Sequence, residues 1–342
     1  MEFSRVLIDW YLAKRRDLPW RTTRDPYRIW MSEIILQQTR VAQGLPYYNA
    51  FIEAFPTVFD LASADEQTVL KLWQGLGYYS RARNLHKTAK HVAEELNGLF
   101  PESYIGLLKL NGVGAYTAAA IASFSYDEAV PVVDGNVYRV LSRYFDIETD
   151  IATPAARVEF TELAAELLPK DKAALFNQAI MEFGALQCVP KNPVCEICPF
   201  NTSCLALKLK KVNLLPIKSK KKPPRIRHLN YLLMRDDADN VAIQKRTGSG
   251  IWRNLYEFPL IETDSAAGIG EMIPLINEVH EAAVVYESPE HDVIHKLTHQ
   301  HLHIKFWNVR VKGQLQQAVA EADLQSYPFP IVLFNYIEKN WK

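Results

Sequence analysis

A chain of 342 residues is long enough to bury two separate cores. Its 48% apolar and 11% aromatic content excludes a disordered polypeptide, and no apolar run is long enough to span a bilayer. The formal net charge of zero speaks against a uniformly basic nucleic-acid binder but leaves room for a local basic face.

Charged and polar residues interrupt the N-terminus from Glu2 onward, so it carries no signal-peptide h-region. The expected location is the reducing cytoplasm, beside the nucleoid. Phe3, Val6, Leu7, Trp10 and Tyr11 fall at helical spacing. Asp25-Pro26 reads as an N-cap with proline in the first turn, opening a helix that carries Ile29, Trp30, Ile34 and Ile35. A further helix runs from about Ser80 to Asn97 and stops at Gly98. Others are predicted near 115–126, 136–145, 154–168 and 172–187, with no strand alternation before residue 225.

From Lys208 to Arg227 every charged residue is basic, and Pro216, Pro223 and Pro224 break any periodicity. That stretch predicts a linker over 208–227, between a helical region at 1–207 and a mixed α/β domain at 228–342. Strands are predicted at His228–Met234, Asn240–Lys245, Val293–Leu297 and Leu302–Val311, with helices near 268–280 and 331–341. The linker reads as a solvated tether. Its lysines are also candidates for phosphate contact, or for contact with a replication or repair protein such as a sliding clamp. His291, His295, His299, His301 and His303 crowd together, and the last three would share one strand face. No cysteine or clear carboxylate joins them, so a polar face is expected rather than a metal site.

All four cysteines fall between residues 188 and 204, which in a cytosolic chain reads as metal ligation rather than disulfides. Cys188, Cys195, Cys198 and Cys204 give C-x6-C-x2-C-x5-C. Four thiolates can hold one zinc ion or one cubic [4Fe–4S] cluster. Zinc modules usually pair two short C-x2-C knuckles, whereas here one occurs between wide gaps. Pro190, Pro193 and Pro199 stiffen the loop, and Lys191 beside it makes the loop a candidate for DNA docking.

Leu110–Ala118 contains Gly112, Val113 and Gly114 ahead of a helix, a helix–hairpin–helix pattern whose backbone amides would make a sequence-independent phosphate site. An ordinary helix turn would look similar. Downstream, Val133-Asp-Gly-Asn-Val137 places Asp134 at a helix start. There it serves as a plain N-cap, or as an anion facing DNA that stays ionised and stabilises a developing sugar cation. Glu33 lies among Trp30, Ile34, Ile35 and Leu36; on its own spacing it reads as a surface carboxylate of an amphipathic helix, whereas an apolar pocket would raise its pKa. Two carboxylates pushed apart in pKa would supply an acid and an anion, the pair that glycosidic cleavage needs. Asn136 is placed to orient Asp134 or an attacking water.

Leu18–Arg21, Trp30–Thr39, Gly75–Asn84, the hairpin, Val133–Val137, Met181–Ala185 and the cysteine loop together resemble the MutY family of adenine DNA glycosylases. The resemblance covers residues 3–205 in order and continues more weakly beyond. It implies a six-helix barrel and a [4Fe–4S] cluster domain gripping double-stranded DNA. It further implies a monomer that removes adenine mispaired with 8-oxoguanine or guanine after the base has left the stack. Glu33 would protonate adenine N7, and Asp134 would stabilise the sugar cation, supported by Tyr116. Lysine occupies the Tyr116 position in the related endonuclease III lyases, and tyrosine cannot form their Schiff base, which implies a monofunctional enzyme. Gln38 and Tyr78 match residues that wedge near the orphaned base, and Trp20, Arg21 and Glu182 match positions lining the adenine pocket. Gly250–Pro259 resembles the family's Nudix-like domain, without the paired glutamates of a catalytic Nudix box. There Leu297-Thr298-His299 stands where the family usually has Phe-Ser-His. The hydroxyl is kept and the aromatic is lost.

Overall fold

The computed structural model describes residues 2–219, 223–280, 282–288 and 293–341. The helices in chain order are α1 (Glu2–Lys14), α2 (Pro26–Leu36), α3 (Val41–Ala54), α4 (Val58–Ser63), α5 (Glu66–Leu72), α6 (Ser80–Glu95) and α7 (Tyr104–Leu107). They continue as α8 (Ala115–Tyr126), α9 (Gly135–Phe145), α10 (Pro154–Leu167), α11 (Ala173–Leu186), α12 (Leu205–Lys208), α13 (Ile269–Val279) and α14 (Ile331–Asn340). The strands are β1 (Arg225–Arg235), β2 (Asn240–Ala242), β3 (Gln244–Lys245), β4 (Tyr256–Glu257), β5 (Leu260–Thr263), β6 (Ala282–Glu287), β7 (Val293–Lys296), β8 (Gln300–Val311) and β9 (Ala318–Ala320). The chain divides into two compact units, Met1–Ser63 with Asn84–Lys220, and Ala64–Arg83 with Lys221–Lys342. Among the described residues no helix is long and apolar enough to cross a membrane.

The first unit is helical. Phe3, Leu7 and Tyr11 of α1 pack with Val137, Val140 and Leu141 of α9, Phe160 of α10 and Phe176, Ile180 and Phe183 of α11 in one buried cluster. Each such side chain contributes about 1.5–3 kcal/mol when fully buried. Cys188, Cys198 and Cys204 pack against the same cluster, so the cysteine loop is continuous with the core. Helix α8 is buried on nearly every face from Thr117 to Ser123, and its run of alanines lets neighbouring helices approach closely. Helix α6 ends where Asn97 and Gly98 turn left-handed, at φ of +52° and +80°.

The basic segment is not a free tether over its described residues. Lys211 pairs with Asp146 at 2.8 Å and with Glu148 at 2.6 Å. The Ile151 amide donates to the Ile217 carbonyl, and the Ser219 amide donates to Asp150. Acidic partners at 146–150 strap the chain to the helical unit as far as Ser219, and β1 already begins at Arg225.

In the second unit the described residues form a mixed seven-stranded sheet with the path β6-β8-β1-β2-β9, on which β5 also pairs with β1 and β7 with β8. The β1–β8 pair is parallel, with His228 opposite His303, and the other pairs are antiparallel. Leu232 and Met234 of β1 and Trp307 and Val309 of β8 pack with Met272 and Ile276 of α13. The predicted strand over Asn240–Lys245 is broken at Ile243 into β2 and β3, which pair with different partners. Residues 64–83, early in the chain, join this unit by specific bonds. Glu66 accepts from Asn254 at 2.7 Å, Lys71 donates to the Tyr327 carbonyl, and Gln74 accepts from the Phe329 amide.

Candidate active site

Asp25 caps α2 by accepting from the Tyr27 amide at 2.9 Å, with Pro26 in the first turn. The helix is buried on most of its surface, so Glu33 is carried inside with its apolar neighbours and keeps 7% of its surface. Burial, together with the nearby charge of Asp134, pushes its pKa up to about 7, against the opposing effects of a Tyr116 hydrogen bond and the Arg21 charge.

The hairpin leads into α8. Gly112 sits at φ +73°, and a Cβ there would meet the Asn84 Cβ at 2.7 Å. Val113 is buried and anchors the turn. Gly114 has an ordinary φ of −87°, and a Cβ there would face open space. What Gly114 offers is bare backbone at a helix start. One turn on, Tyr116 hydrogen-bonds Glu33 rather than Asp134. The aspartate is bonded to the start of its own helix: Oδ1 accepts from the amides of Asn136 (2.8 Å) and Val137 (2.9 Å), and Oδ2 accepts from Asn136 Nδ2 (2.7 Å).

Asp134 thus caps α9 as expected, but its pKa moves the other way from the helix-terminus argument. Burial raises it, and this outweighs the three hydrogen bonds and the charge of Arg139. Asn136 bonds Asp134 through both its backbone amide and its side-chain Nδ2. It is itself held by Arg139, whose guanidinium donates to Asn136 Oδ1 (2.8 Å) and to the carbonyls of Gly184 (2.7 Å) and Cys188 (2.7 Å). Gly184 completes the fit: a Cβ there would meet the Asn136 Cβ at 2.6 Å and its carbonyl oxygen at 3.0 Å. Neither Arg139 nor Gly184 stands out from sequence spacing alone. The available signal was a glycine inside a strongly helical stretch.

Glu33, Tyr116, Asp134, Gly112, Gly114 and Gln38 line one cavity of about 1230 Å³. Gln38 is exposed there at φ +56°, a conformation uncommon outside glycine and often found at functional positions. Trp20, Arg21 and Glu182, expected on the pocket wall, do not line this cavity. Trp20 is buried edge-on against Tyr48, with ring centroids 5.0 Å apart. Glu182 is fully buried between Arg16 and Arg21, each of which donates to both of its oxygens at 2.5–2.9 Å. Burial alone would raise the Glu182 pKa, but the two arginines together hold it down at about 2. Sequence reasoning did not find Arg16.

The four cysteines line a second cavity, walled by Tyr144, Phe183 and Phe200. Arg143 donates to Cys188 Sγ at 3.4 Å and fixes the loop through the carbonyls of Val189, Pro190 and Leu215. Burial pushes the Cys198 thiol up to about 11. Among the described residues no three His, Cys, Asp or Glu side chains converge on a point that would hold a single ion.

In the second unit, Leu297-Thr298-His299 forms the loop of the β7–β8 hairpin, closed by the Leu297 amide donating to Gln300. His299 therefore lies in the loop, not on the strand face with His301 and His303; its ring nitrogen is 3.1 Å from Gln300 Nε2. His291 lies outside the described residues. Tyr78 is left-handed at φ +48° and 44% exposed, and its hydroxyl is 2.5 Å from Thr298 Oγ1.

Residues 31–166 match the HhH-GPD superfamily of base excision DNA repair proteins, and residues 230–339 match the NUDIX domain. The chain is 38% identical over 262 residues to the adenine DNA glycosylase of Buchnera aphidicola from Schizaphis graminum, covering 76% of this chain and 75% of that one. It is 34% identical to that of Rattus norvegicus, covering 91% and 71%. Among solved structures, a thermostable thymine-DNA glycosylase superposes with a TM-score of 0.56 at 31% identity, over 61% of this chain and 96% of that one. A trapped endonuclease III–DNA intermediate, at 22% identity and a TM-score of 0.53, shares the fold over 60% of this chain and 94% of that one. With two domain matches in order and relatives this similar over three quarters of its length, the chain belongs to the adenine DNA glycosylase family.

Proposed function

We propose that this protein removes adenine mispaired with 8-oxoguanine or guanine from double-stranded DNA, by hydrolysis alone. The observation that carries the reading is the cavity in which a buried Glu33, with its pKa near 7, faces the same space as Asp134 and the bare hairpin backbone. Glu33 gives its proton to N7 of the extruded adenine. The C1′–N9 bond then breaks, the base leaves neutral, and the sugar carries the positive charge. Asp134, oriented by Asn136, stabilises that cation until water adds at C1′, its proton passing to the Glu33 carboxylate, and leaves an abasic site. The hairpin amides of Gly112–Gly114 hold a phosphate. Among the described residues lining the cavity there is no lysine, so no amine is placed to form a Schiff base and break the strand.

The cysteine cavity suits a [4Fe–4S] cluster. The four thiols surround a space rather than converge on a point, aromatic walls exclude water, and Arg143 is aimed at a sulfur. Cys188, Cys195, Cys198 and Cys204 would be the ligands, and the bound cluster would cross-link the loop to the core. Tyr78 and Thr298, joined through their hydroxyls, serve with His299 to read the orphaned 8-oxoguanine, and Gln38 fills the gap in the stack. The domain boundaries we favour keep residues 64–83 with the Nudix-like domain.

The test uses duplexes holding one 8-oxoguanine:adenine pair, with thymine:adenine controls. Breaks at the mispaired adenine only after alkali are expected. Breaks without alkali would identify a lyase, and no cleavage would leave a non-catalytic DNA binder or another substrate base.

A further inference from the structure

The catalytic cavity has a wall that the proposed chemistry does not use. Arg157, Val158, Thr161 and Glu162, all on α10, line the same space as Glu33, Asp134 and the hairpin glycines. Arg157 is the one cationic residue among the described residues that line it, against three carboxylates. Its side chain is exposed, and no hydrogen bond or ion pair to a described residue engages it. The other arginines around the site are occupied: Arg16 and Arg21 by Glu182, Arg139 and Arg143 by carbonyls and by Asn136 or Cys188.

Helix stability does not explain Arg157 either. It lies in the opening turns of α10, after the Thr153 cap and Pro154, where a cation meets the positive end of the helix dipole and is mildly unfavourable. What that placement favours is an anion. Arg157 adds to the field of the helix end, and its charge also reaches the Tyr138 hydroxyl, another residue of the cavity wall.

We infer that Arg157 is a second phosphate-binding point of the catalytic cavity, gripping the backbone of the strand that carries the target nucleotide while the hairpin amides hold it elsewhere. The inference rests on the proposed DNA substrate, but not on which base is removed. Two grips on one strand, with Asp134 lining the space they share, would fix the sugar against the aspartate once the base has swung out.

The test measures binding, not excision. A duplex with a base-less tetrahydrofuran residue opposite 8-oxoguanine has no glycosidic bond to cut and an open backbone at the target position. Its dissociation constant is read by fluorescence anisotropy across a salt series. Arg157→Gln is expected to weaken binding roughly tenfold at moderate salt and to lower the slope of log K against log salt by about one. Arg157→Lys should keep the slope. An unchanged slope in Arg157→Gln, or an equal loss of slope in both variants, overturns the inference. The excision reading fails separately, if the unaltered protein leaves mispaired adenine in place.

Discussion

Glu33 and Glu182 are both glutamates buried on helices of the same unit, and they are driven to opposite charge states. Glu182 faces two guanidiniums that bond each of its oxygens, and its pKa falls to about 2. Glu33 receives a neutral tyrosine hydroxyl and the repulsion of Asp134, and burial carries its pKa to about 7. Burial alone therefore does not make an acid catalyst. The nearby cations decide whether a buried carboxyl is a fixed anion or a proton reservoir.

The sharpest way to break this comparison is to remove the reservoir. Glu33→Gln should reduce adenine release by about a thousandfold in single-turnover assays, within the usual weight of general acid catalysis. In the unaltered protein, release should fall as pH rises through about 7, as Glu33 loses its proton. The same group carries a stability signature. Its folded pKa lies above its unfolded value, so the stability it lends is present below about pH 4.5 and lost as pH rises through about 7. Relative to the unaltered protein, Glu33→Gln should gain about 3 kcal/mol between those limits. Denaturant unfolding at pH 4.5 and pH 8 would show it; equal differences at both would mean that folding does not raise the Glu33 pKa.

Removing the anion should do the reverse. Glu182→Gln leaves Arg16 and Arg21 without a counter-charge, which costs about 3 kcal/mol, and urea midpoints would register the loss. A stable variant would mean that the two arginines find water or another acceptor. Next comes Gly184→Ala. The added methyl would strike Asn136, which holds Asp134. About 2 kcal/mol of stability and most of the excision rate should go together. Loss of stability with the rate intact would free Asn136 from any role in placing the aspartate.

These residues were unequally legible in the sequence. Cys188 to Cys204, Asp134 and Glu33 each sit in a short local pattern, and local patterns survive without knowledge of the fold. The helix starting near Asp25 was legible for the same reason. The short helices α4 and α5 were not, because six or seven residues carry too little periodicity to distinguish them from turns. Arg16, Arg139 and Gly184 act on partners 166, 49 and 45 residues away, at Glu182, Cys188 and Arg139 respectively, and only the folded chain brings them together. The direction of the Asp134 shift was misread because the helix terminus is visible in sequence, whereas the depth at which it lies is not.

Tyr116 tests the same electrostatics with a smaller effect. Its hydrogen bond favours ionised Glu33, so Tyr116→Phe should raise the Glu33 pKa and move the alkaline limb of the pH–rate profile upward. The fall in maximal rate should be only several-fold, since a neutral hydrogen bond contributes about 1 kcal/mol. A limb that stays in place would mean that the ionisation seen in the profile belongs to another group.

The weakest effect should lie where a polar pair is exposed rather than buried. Tyr78 and Thr298 share one short hydroxyl contact in the second unit, and both side chains reach solvent. Water can replace either partner, so Tyr78→Phe and Thr298→Ala should each change stability by less than about 0.5 kcal/mol. Their effect should appear in discrimination between 8-oxoguanine and guanine opposite adenine. A double-mutant cycle on that preference should give a coupling of about 1 kcal/mol or less, roughly fivefold in the ratio of rates. Strictly additive losses would mean that the two hydroxyls act on the damaged base separately, and that their contact does not position either one. A coupling well above that value would place the pair in a desolvated setting once DNA is bound, and would bring it closer to the environment that governs Glu33.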